Sequence, residues 1–484
     1  MDDEALVRIA LNRGIFFPSA EVFGANIGGF WDYGPLGFRI FNNILFVWRE
    51  FLRRINAIEI SGSTILPRKV LKASGHEENF FDWQISCEKC KAVYRVDKLL
   101  EEKIGNVEGL GPEEYMSLIE KNKIVCPRCG GKLGNIKKFN LMFGLKVGFS
   151  DDINAYLRPE ACQSIFLDFK RVFDSTDRKL PLAIAQVGKA YRNEISPRNN
   201  LIRQREFYHN DVEIFFDDEA AFKDIDEIKL QILDQDKTVS MDANGAFDAG
   251  IIAHRVTAYA LSKFMTFLVS LGFKPEDIRF RKLYKDKAFY AQEAFDAEVK
   301  KGSEWIEVAA CNYRGDYDLS SYYKNGAQIV KVNGKIPEIF ELSAGTDRLF
   351  YLLLFNSLRQ DKERIFLSLK YRLAPYKAAL FPLLSKEELE NYSLKILSNS
   401  KFKDDIYYLS SGSIGKRYRK SDEIGVPLAL TVDYQTLKDS TLTVRDRDTM
   451  DQFRIKVEDI DKLIEASVNE DFKRLKSRFE IIST

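Results

Sequence analysis

Residues 191–216, which read YRNEISPRNNLIRQREFYHNDVEIFF, place the strongest constraint on the fold of this chain. Two runs rich in apolar and aromatic residues flank a polar stretch, a pattern that predicts a β-hairpin. The turn-forming residues of that stretch are Ser196, Pro197, Asn199 and Asn200. Alternate residues of a strand share a face, so Arg192 and Glu194 are expected to project together. These strands would offer a guanidinium for a phosphate, a carboxylate beside it and the ring of Phe207 for a base. This combination predicts a nucleotide site.

The bulk properties exclude several classes of protein. A chain of 484 residues is too long for one simple core, and two or three domains are expected. The net charge of +1 means that any RNA-binding surface must be a local basic patch. No run of 18 apolar residues is present, and the acidic start MDDEALVRIALNRG lacks a signal-peptide pattern. We therefore expect a cytoplasmic protein with neither a membrane nor DNA as a partner.

Helical and strand-like patterns divide the rest of the chain. Residues 36–56 have apolar side chains at helical spacing, followed by the strand-like run IEISGSTILP up to Pro67. Residues 336–358 predict a strand, a glycine turn and an apolar helix. From about residue 370, apolar runs at 378–384, 406–410 and 428–432 alternate with helical stretches, which favours an α/β sandwich.

Four cysteines form two closely spaced pairs, Cys87-x-x-Cys90 and Cys126-x-x-Cys129. This spacing is typical of a four-thiolate zinc site, although the pairs lie further apart than in the usual zinc ribbon. Four cysteines leave no open position on the metal, so a structural role is expected; a degenerate or vacant site is the alternative. Cys162 and Cys311 stand alone, and we interpret them as small packing residues.

The hairpin and four further segments together resemble the glycyl-tRNA synthetases, a family of class II aminoacyl-tRNA synthetases. These segments are WDYGPLG at 31–37, RPEACQSIFLDF at 158–169, ELSAGTDR at 341–348 and LTVRDRDTMDQFRI at 442–455. The resemblance spans nearly the whole chain. Departures are Ala161–Cys162 and Ser164, where the family usually has Thr-Ala and Gly, and Asp211, where glutamate is usual. These changes are small in volume and leave the charged residues intact.

The resemblance implies a mixed α/β (α+β) fold built on an antiparallel sheet flanked by helices. The catalytic domain would comprise residues 1–84 and 151–365, interrupted by a zinc-binding insertion at 85–150. Residues 370–484 would form an α/β anticodon-binding domain. The helix at 36–56 would correspond to motif 1 and build a homodimer interface. The helix alone favours packing on its own domain, and it is the other motifs that favour the interface.

The implied reaction joins glycine and ATP into glycyl-adenylate and then transfers glycine to the 3′ end of tRNA(Gly). Arg192 is the candidate for the α-phosphate, Arg348 for the γ-phosphate, and Phe207 for stacking on adenine. Glu307 is the candidate for Mg²⁺ held with ATP. By itself, each arginine is more often an ordinary surface or ion-pair residue, and their joint placement in two matching motifs favours the functional role. The other implied ATP-binding residues are Asn193, Glu194, Ile202, Arg203, Gln204, Arg205, Glu206, Val308, Gly345, Thr346 and Asp347.

Glycine offers only an ammonium and a carboxylate to recognise, so its site should combine carboxylates with close packing. The candidate residues are Arg95, Glu160, Phe207, Asp211, Glu213, Glu341, Ser343 and Gly345. Arg95 matches an arginine that the family uses on the substrate side. At least one of the acids is expected to serve the structure instead.

A basic run with one aromatic residue is the candidate tRNA contact in the C-terminal part. Its members are Lys416, Arg417, Tyr418 and Arg419. The alternative for so short a run is a solvated charged loop. Two other functions stay open: a synthetase for serine, threonine or proline, and a catalytically silent paralogue. The acids at 160, 211 and 341 argue against the first, and the presence of both Arg192 and Arg348 argues against the second.

Overall fold

The computed structural model describes residues 3–24, 27–105, 107, 109–197, 199–284, 291–328, 331–332, 334–361, 364–468 and 472–478. The N-terminal elements are α1 (Asp3–Arg13), β1 (Phe16–Pro18), β2 (Trp31–Tyr33), α2 (Pro35–Arg54), β3 (Ile58–Ile60), β4 (Ile65–Pro67), α3 (Arg68–Ala73) and α4 (His76–Asn79). The predicted helix at 36–56 is thus present as α2. It begins with a proline at its first position, where a missing N–H does no harm.

Two glycines let the N-terminal segment lie directly on α2. A side-chain carbon at Gly34 would lie 2.0 Å from the carbonyl oxygen of Gly14, and one at Gly37 would lie 1.9 Å from that of Ile15. Only glycine permits so close an approach of two backbones. The glycines of WDYGPLG therefore fix where α1 and β1 sit.

Residues 81–140 form a small unit that we call the knuckle module. Its elements are β5 (Phe81–Cys87), β6 (Val93–Arg95), α5 (Val96–Ile104), α6 (Pro112–Lys121) and β7 (Leu133–Asn140). The strands lie in the order β6-β5-β7 and are antiparallel. The two helices pack on this sheet around a separate apolar cluster that includes Ile85, Leu100 and Tyr115. Next come β8 (Gly144–Leu145) and β9 (Ala155–Leu157), which form a sheet with β4.

A sheet of nine strands dominates the described part of the middle region. Its elements and flanking helices are α7 (Cys162–Thr176), β10 (Leu182–Tyr191), β11 (Glu206–Phe216), β12 (Lys229–Asp234), β13 (Lys237–Asp242), α8 (Ala243–Asp248), α9 (Arg255–Leu271), β14 (Ile278–Leu283), β15 (Glu293–Lys301), β16 (Glu304–Gly315), α10 (Tyr317–Lys324), β17 (Glu338–Gly345) and α11 (Thr346–Ser357). The strand order is β13-β12-β14-β15-β16-β17-β11-β10-β3. Only the β10–β3 and β12–β14 pairs are parallel among these described strands.

Both faces of this sheet are buried against helices. Ala183 and Ile214 face a core shared with α2, α9 and α11, while Ile184 and Phe215 face α7 and α10. The alternation follows from the two-residue period of a strand. The sheet is therefore a rigid middle layer, and polar residues at the ends of its strands are held firmly.

The hairpin prediction is confirmed, with one local difference. Strand β10 ends at Tyr191, so Arg192 and Glu194 follow the strand instead of lying within it. IEISGSTILP forms two short strands in different sheets, β3 and β4, instead of one. At Gly345, β17 runs directly into α11 without a left-handed turn, with φ at −83°.

The C-terminal part holds a second, mixed sheet. Its elements, with the preceding connection, are β18 (Leu358–Gln360), β19 (Ile365–Leu367), β20 (Ala378–Pro382), α12 (Glu387–Asn399), β21 (Ile406–Tyr408), α13 (Ile414–Glu423), β22 (Leu428–Val432), α14 (Thr436–Asp439), β23 (Thr441–Asp446), β24 (Gln452–Lys456), α15 (Ile460–Ser467) and α16 (Phe472–Arg478). The sheet order is β21-β20-β22-β23-β24. No described helix is both long and apolar enough for a bilayer crossing.

Candidate active site

A cavity of about 440 Å³ opens above the ends of β11, β16 and β17. Fourteen of the predicted site residues line it, namely Glu160, Arg192, Glu194, Ile202, Arg203, Gln204, Phe207, Glu307, Val308, Glu341, Ser343, Gly345, Asp347 and Arg348. They come from segments far apart in sequence, which the nine-stranded sheet brings together because β11 lies next to β17 and β17 next to β16.

Arg192 stands at one side of the cavity, immediately after β10. Its Nε donates to the carbonyl oxygen of Pro159 at 3.1 Å, and its guanidinium lies 5.5 Å from the ring centre of Phe207. One nitrogen lies 3.4 Å from a carboxylate oxygen of Glu160. These contacts hold the cation next to the exposed face of an aromatic ring, as a nucleotide site requires.

Arg348 also lines the cavity, from the first turn of α11. Its Nη1 donates to Glu307 twice, to the backbone oxygen at 2.9 Å and to a carboxylate oxygen at 3.2 Å. Its Nε donates to the carbonyl oxygen of Ile202 at 3.1 Å. Burial opposes the ionisation of Glu307, but the charges of Arg348 and Arg192 lower its pKa. Glu307 is thus held as a carboxylate beside two cations.

Carboxylates gather at the deep end of the cavity. Burial opposes ionisation of Glu160, yet a hydrogen bond with His76 and the charge of Arg192 hold its pKa well below the usual value. Glu341 accepts hydrogen bonds from Asn312 at 2.9 Å and Arg314 at 3.0 Å. The site therefore offers fixed negative charge next to the arginines.

Ser343 connects this acid group to strand β11. It lies opposite Asp211 in the β11–β17 register, and its hydroxyl donates to Asp211 Oδ1 at 2.5 Å. The ring of His209 also lies against Ser343, with Nε2 at 3.1 Å from Oγ. Asp211 is fully buried and does not line the cavity. It therefore acts on the cavity through Ser343.

Glu213 lies deeper still. Its carboxylate, that of Glu341 and the thiol of Cys162 have ligand atoms within 4.8 Å of one another. Both oxygens of Glu213 are buried with no hydrogen-bond partner among the described residues. Burial and the neighbouring charge of Glu341 raise its pKa well above the usual value. Glu213 consequently sits beneath the cavity wall, where its surroundings favour the neutral form.

Asp347 joins the cavity to the N-terminal segment. It accepts hydrogen bonds from the Tyr33 hydroxyl and from the backbone N–H of Tyr208. Burial raises the pKa of Asp347 to about 6. The WDYGPLG segment therefore supports the site from behind.

Five further predicted residues do not line the cavity. Arg95 pairs with Asp97 and Asp82 in the knuckle module, contrary to a direct substrate contact. Arg205 donates to the backbone oxygens of Gly28 and Glu194, and Glu206 pairs with Lys189. The backbone N–H of Asn193 donates to Leu141, and Thr346 is buried against Asn210. These side chains hold the loops and strands that carry the site.

Several cavity residues were not predicted from the sequence. The main ones are His76, His209, Asp296, Asn312 and Arg314. Arg314 also binds Asp318 through two hydrogen bonds of 2.6 and 2.9 Å and is buried. Its position in AACNYRGDYDL, seven residues after Glu307, was the one available signal. Asp296 lies across the sheet on β15, and no local sequence pattern predicts that it lines the cavity.

The four paired cysteines converge in the knuckle module. Their sulfur atoms lie within 4.8 Å of one another, with 3.5 Å between Cys87 and Cys129 and 3.6 Å between Cys90 and Cys126. Tetrahedral zinc with Zn–S bonds of about 2.3 Å separates its sulfur ligands by roughly 3.8 Å. All six cysteines of the chain are free of disulfides. The donor set and its spacing fit a zinc ion.

The candidate tRNA contacts divide into two pairs. Lys416 and Arg419 are exposed on α13. Arg417, contrary to the prediction, is only 2% exposed and donates to the carbonyl oxygens of Gly412 and Pro382. Tyr418 is half-buried, with its hydroxyl 2.6 Å from that of Thr431. The run is a helix with one face turned inward, which its charge pattern does not reveal.

Comparisons with known proteins agree with this geometry. Residues 146–354 match the profile described as the tRNA synthetase class II core domain (G, H, P, S and T), and residues 377–467 match the anticodon binding domain. A crystal structure of prolyl-tRNA synthetase from Cryptosporidium parvum, 15% identical, superposes with a TM-score of 0.60 over 98% of this chain and 79% of the other. Fold and site thus define a class II aminoacyl-tRNA synthetase.

Curated relatives narrow the assignment. The glycine–tRNA ligase of Methanothermobacter thermautotrophicus is 34% identical over 95% of this chain and 98% of its own length. The glycine–tRNA ligase of Pyrococcus furiosus is 36% identical over 94% of this chain and 97% of its own length. The chain belongs to the glycine–tRNA ligase family.

Proposed function

We propose that this protein activates glycine with ATP, forming glycyl-adenylate and pyrophosphate, and transfers glycine to the 3′ end of tRNA(Gly). The observation that carries the proposal is a single cavity in which Arg192, Arg348 and Phe207 face the carboxylates of Glu160 and Glu341. Such a cavity can hold a nucleotide and an ammonium side by side. In-line attack of a carboxylate on the α-phosphate requires that proximity and nearby positive charge.

ATP is assigned to the side with the arginines. Arg192 would bind the α-phosphate, where charge develops during attack, and Arg348 the γ-phosphate. Phe207 would stack on adenine, its ring being open to the cavity beside Arg192. Glu307 would hold Mg²⁺ together with phosphate oxygens, and Asp296, also at the cavity wall, is a second candidate oxygen ligand. The metal would neutralise phosphate charge while the arginines orient the chain.

Glycine is assigned to the acid-lined end. Glu160 and Glu341 would hold the ammonium, with Asn312 and Arg314 fixing the position of Glu341. Ser343, fixed by Asp211, would close the space that a side chain needs. Steric exclusion in a packed pocket suffices to reject alanine, so hydrolytic editing is not required.

The other parts of the chain are given supporting roles. Zinc held by Cys87, Cys90, Cys126 and Cys129 would stabilise the knuckle module, and its thiolates fit a reducing, cytosolic compartment. The domain after residue 370 would bind the anticodon, with Lys416 and Arg419 exposed for phosphate contacts.

A homodimer would pair through the outer face of α2. Phe38 and Phe46 on that face are 51% and 56% exposed. Val22 and Phe23, in the segment before α2, are 91% and 84% exposed. Apolar side chains so exposed support an interface between copies of the chain.

Amino-acid-dependent ATP–pyrophosphate exchange, measured with each of the twenty amino acids, tests the function. We expect exchange with glycine and at least tenfold less with alanine, roughly the discrimination of one methylene in a pocket. Exchange with serine, threonine or proline instead of glycine would reassign the enzyme. Absence of exchange with all twenty would favour the catalytically silent paralogue.

A further inference from the structure

A chain of buried ion pairs connects the knuckle module to the nucleotide side of the cavity. Arg203 donates through Nε to Glu194 at 2.8 Å, and both residues line the cavity. Arg203 Nη2 lies 3.9 Å from Asp82 Oδ2, and Arg95 Nη1 lies 3.4 Å from the same oxygen. Arg95 in turn donates to Asp97 at 2.7 Å. We call these five alternating charges the Asp97–Glu194 chain.

Burial makes these pairs stronger than ordinary surface contacts. The side chains of Asp82, Glu194 and Asp97 are 12%, 10% and 9% exposed, and those of Arg95 and Arg203 are 21% and 23% exposed. Water and salt screen charges poorly at such depth. Asp82 Oδ2 accepts no hydrogen bond from the described residues, so its contact with both guanidiniums is electrostatic. Removing that one charge would weaken the hold on both arginines, although each keeps its hydrogen bonds to Glu194 or Asp97.

The cysteine cluster fixes the two strands that carry the module's end of this chain. Asp82 lies on β5, which ends at Cys87, and Arg95 ends β6, which begins three residues after Cys90. The Tyr94 hydroxyl contacts Cys126 Sγ at 3.2 Å. Any metal held by these thiols would therefore also fix where Asp82 and Arg95 stand relative to Arg203.

We propose that Asp82 and Arg95 are positioning residues that act on ATP through Arg203, and that the knuckle module supports nucleotide binding by this route. The inference rests on the proposed function, which assigns ATP to this side of the cavity. It gives Arg95 an indirect role in place of substrate contact. Because the chain ends at Arg203 and Glu194, its effect should fall on ATP and not on glycine.

Steady-state exchange kinetics of Asp82→Asn test the direction of the effect. This variant keeps the shape of the side chain and removes its charge. We expect KM for ATP to rise roughly five- to tenfold, the scale of coupling between neighbouring charged residues, with KM for glycine and kcat within about twofold. Lys98→Met is the matched control, since Lys98 belongs to the same module but pairs with Glu101. Equal effects on ATP and glycine, or an equal effect of Lys98→Met, would overturn the proposal.

A double-mutant cycle tests the route. Arg203→Met should weaken ATP binding, and adding Asp82→Asn to it should cause little further loss, because Asp82 acts only through Arg203. Arg95→Met should resemble Asp82→Asn, while Arg95→Lys should retain most of the affinity. Additive effects of Asp82→Asn and Arg203→Met would contradict the route.

Calorimetric titration of the full-length protein with ATP alone separates this inference from the proposed function. No amino acid is present, so an error about glycine would not alter the outcome. Stripping metal with a chelator should weaken ATP binding to the wild type by a factor similar to that of Asp82→Asn. It should affect Asp82→Asn much less. An equal loss in both proteins would mean that the module does not act through this chain.

Discussion

The hydrogen bond from Ser343 to Asp211 shows how one side chain can set the selectivity of the cavity. Asp211 is fully buried, and its carboxylate holds the serine hydroxyl 2.5 Å away. The serine side chain is therefore fixed, and its volume is denied to a substrate. If the cavity holds glycine as proposed, this fixed volume would exclude a larger amino acid.

Ser343→Gly should admit alanine. The change opens space of roughly one methyl group, so the ratio of alanine-dependent to glycine-dependent exchange should rise about tenfold or more, corresponding to about 1–3 kcal/mol. Ser343→Ala is the control, because it removes the hydroxyl and keeps the β-carbon. An unchanged ratio in Ser343→Gly would remove Ser343 from the pocket wall.

Arg192→Ala should abolish adenylate formation without unfolding the protein. Arg192 is assigned to the charge that develops on the α-phosphate. Losing this cation should raise the activation free energy of exchange by about 3–4 kcal/mol, by analogy with removal of an oxyanion donor. The exchange rate of Arg192→Lys should lie between those of the wild type and Arg192→Ala, because lysine keeps the charge without the bidentate fork. Near-normal exchange by the alanine variant would exclude Arg192 from catalysis.

Glu213→Gln should stabilise the protein, increasingly so at higher pH. A carboxyl whose pKa is raised in the folded state contributes most below its unfolded pKa, and that contribution is lost as pH rises towards the folded value. The glutamine has no charge to bury. The free energy of unfolding of Glu213→Gln should therefore exceed that of the wild type by about 1–3 kcal/mol at neutral pH and above, and this difference should shrink below a pH of about 4.

Thermal unfolding of wild type and Glu213→Gln across that pH range measures this difference. Glu341→Gln is the control, because Glu341 has hydrogen bonds from Asn312 and Arg314 to lose and should be destabilised. A constant offset between wild type and Glu213→Gln would show that Glu213 does not titrate as described.

Of the structural units in this chain, the knuckle module depends most on a feature other than apolar packing, namely its cysteine cluster. Its two short cysteine turns bring four sulfur atoms together beside a small core of its own. Although burial opposes it, hydrogen bonds from Tyr94 and from backbone N–H groups lower the pKa of Cys126 to about 6. A thiolate is the form that binds zinc.

Protein purified without added metal should contain one zinc ion per chain. Elemental analysis gives the content, and Cys126→Ser should lose it. Cys311→Ser is the control, because that cysteine is buried in the main core and is not part of the cluster of four. Metal-free protein with a folded module, or a disulfide between these cysteines, would contradict the prediction.

The elements most visible in the sequence were those with local signals. The hairpin, α2, α11 and the cysteine turns each carry their pattern within about twenty residues. Contacts across the sheet could not be found this way, since the register between β11 and β17 joins residues over a hundred positions apart. Ser343–His209 is of this kind, and Glu341–Arg314 and Asp82–Arg203 likewise join separate elements. The prediction that Arg417 is free to contact tRNA was wrong for a different reason. The charge pattern of residues 416–419 carries no information on which helix face turns inward.

The C-terminal domain is attached to the rest of the chain by polar contacts around α2. Arg39 donates to the carbonyl oxygen of Pro375 at 3.1 Å and pairs with Asp405, and Asn43 binds the backbone at Ala374 at 2.9 Å. Arg13 pairs with Glu423, and Arg364 with Asp422. Contacts of this kind orient a domain while leaving each core separate.

A chain ending near residue 370 should keep glycine-dependent pyrophosphate exchange and lose tRNA charging. Loss of several phosphate and base contacts should reduce charging on the order of 100-fold. Arg13→Ala in the full chain is the control, and its effect should be small because a partly exposed ion pair contributes about 1 kcal/mol or less. Equal charging by truncated and full chains would exclude this domain as the RNA-binding part.

The order of strands in the large sheet has a consequence for how the protein is made. During synthesis on the ribosome, β10 and β11 emerge early, but β17, the other neighbour of β11, follows only after residues 217–337. At roughly 5–20 residues per second, the edge of this apolar hairpin waits on the order of ten seconds for its partner. An unpaired edge of that length invites association with other nascent chains. The β10–β11 hairpin is therefore open to such association until β17 has been synthesised.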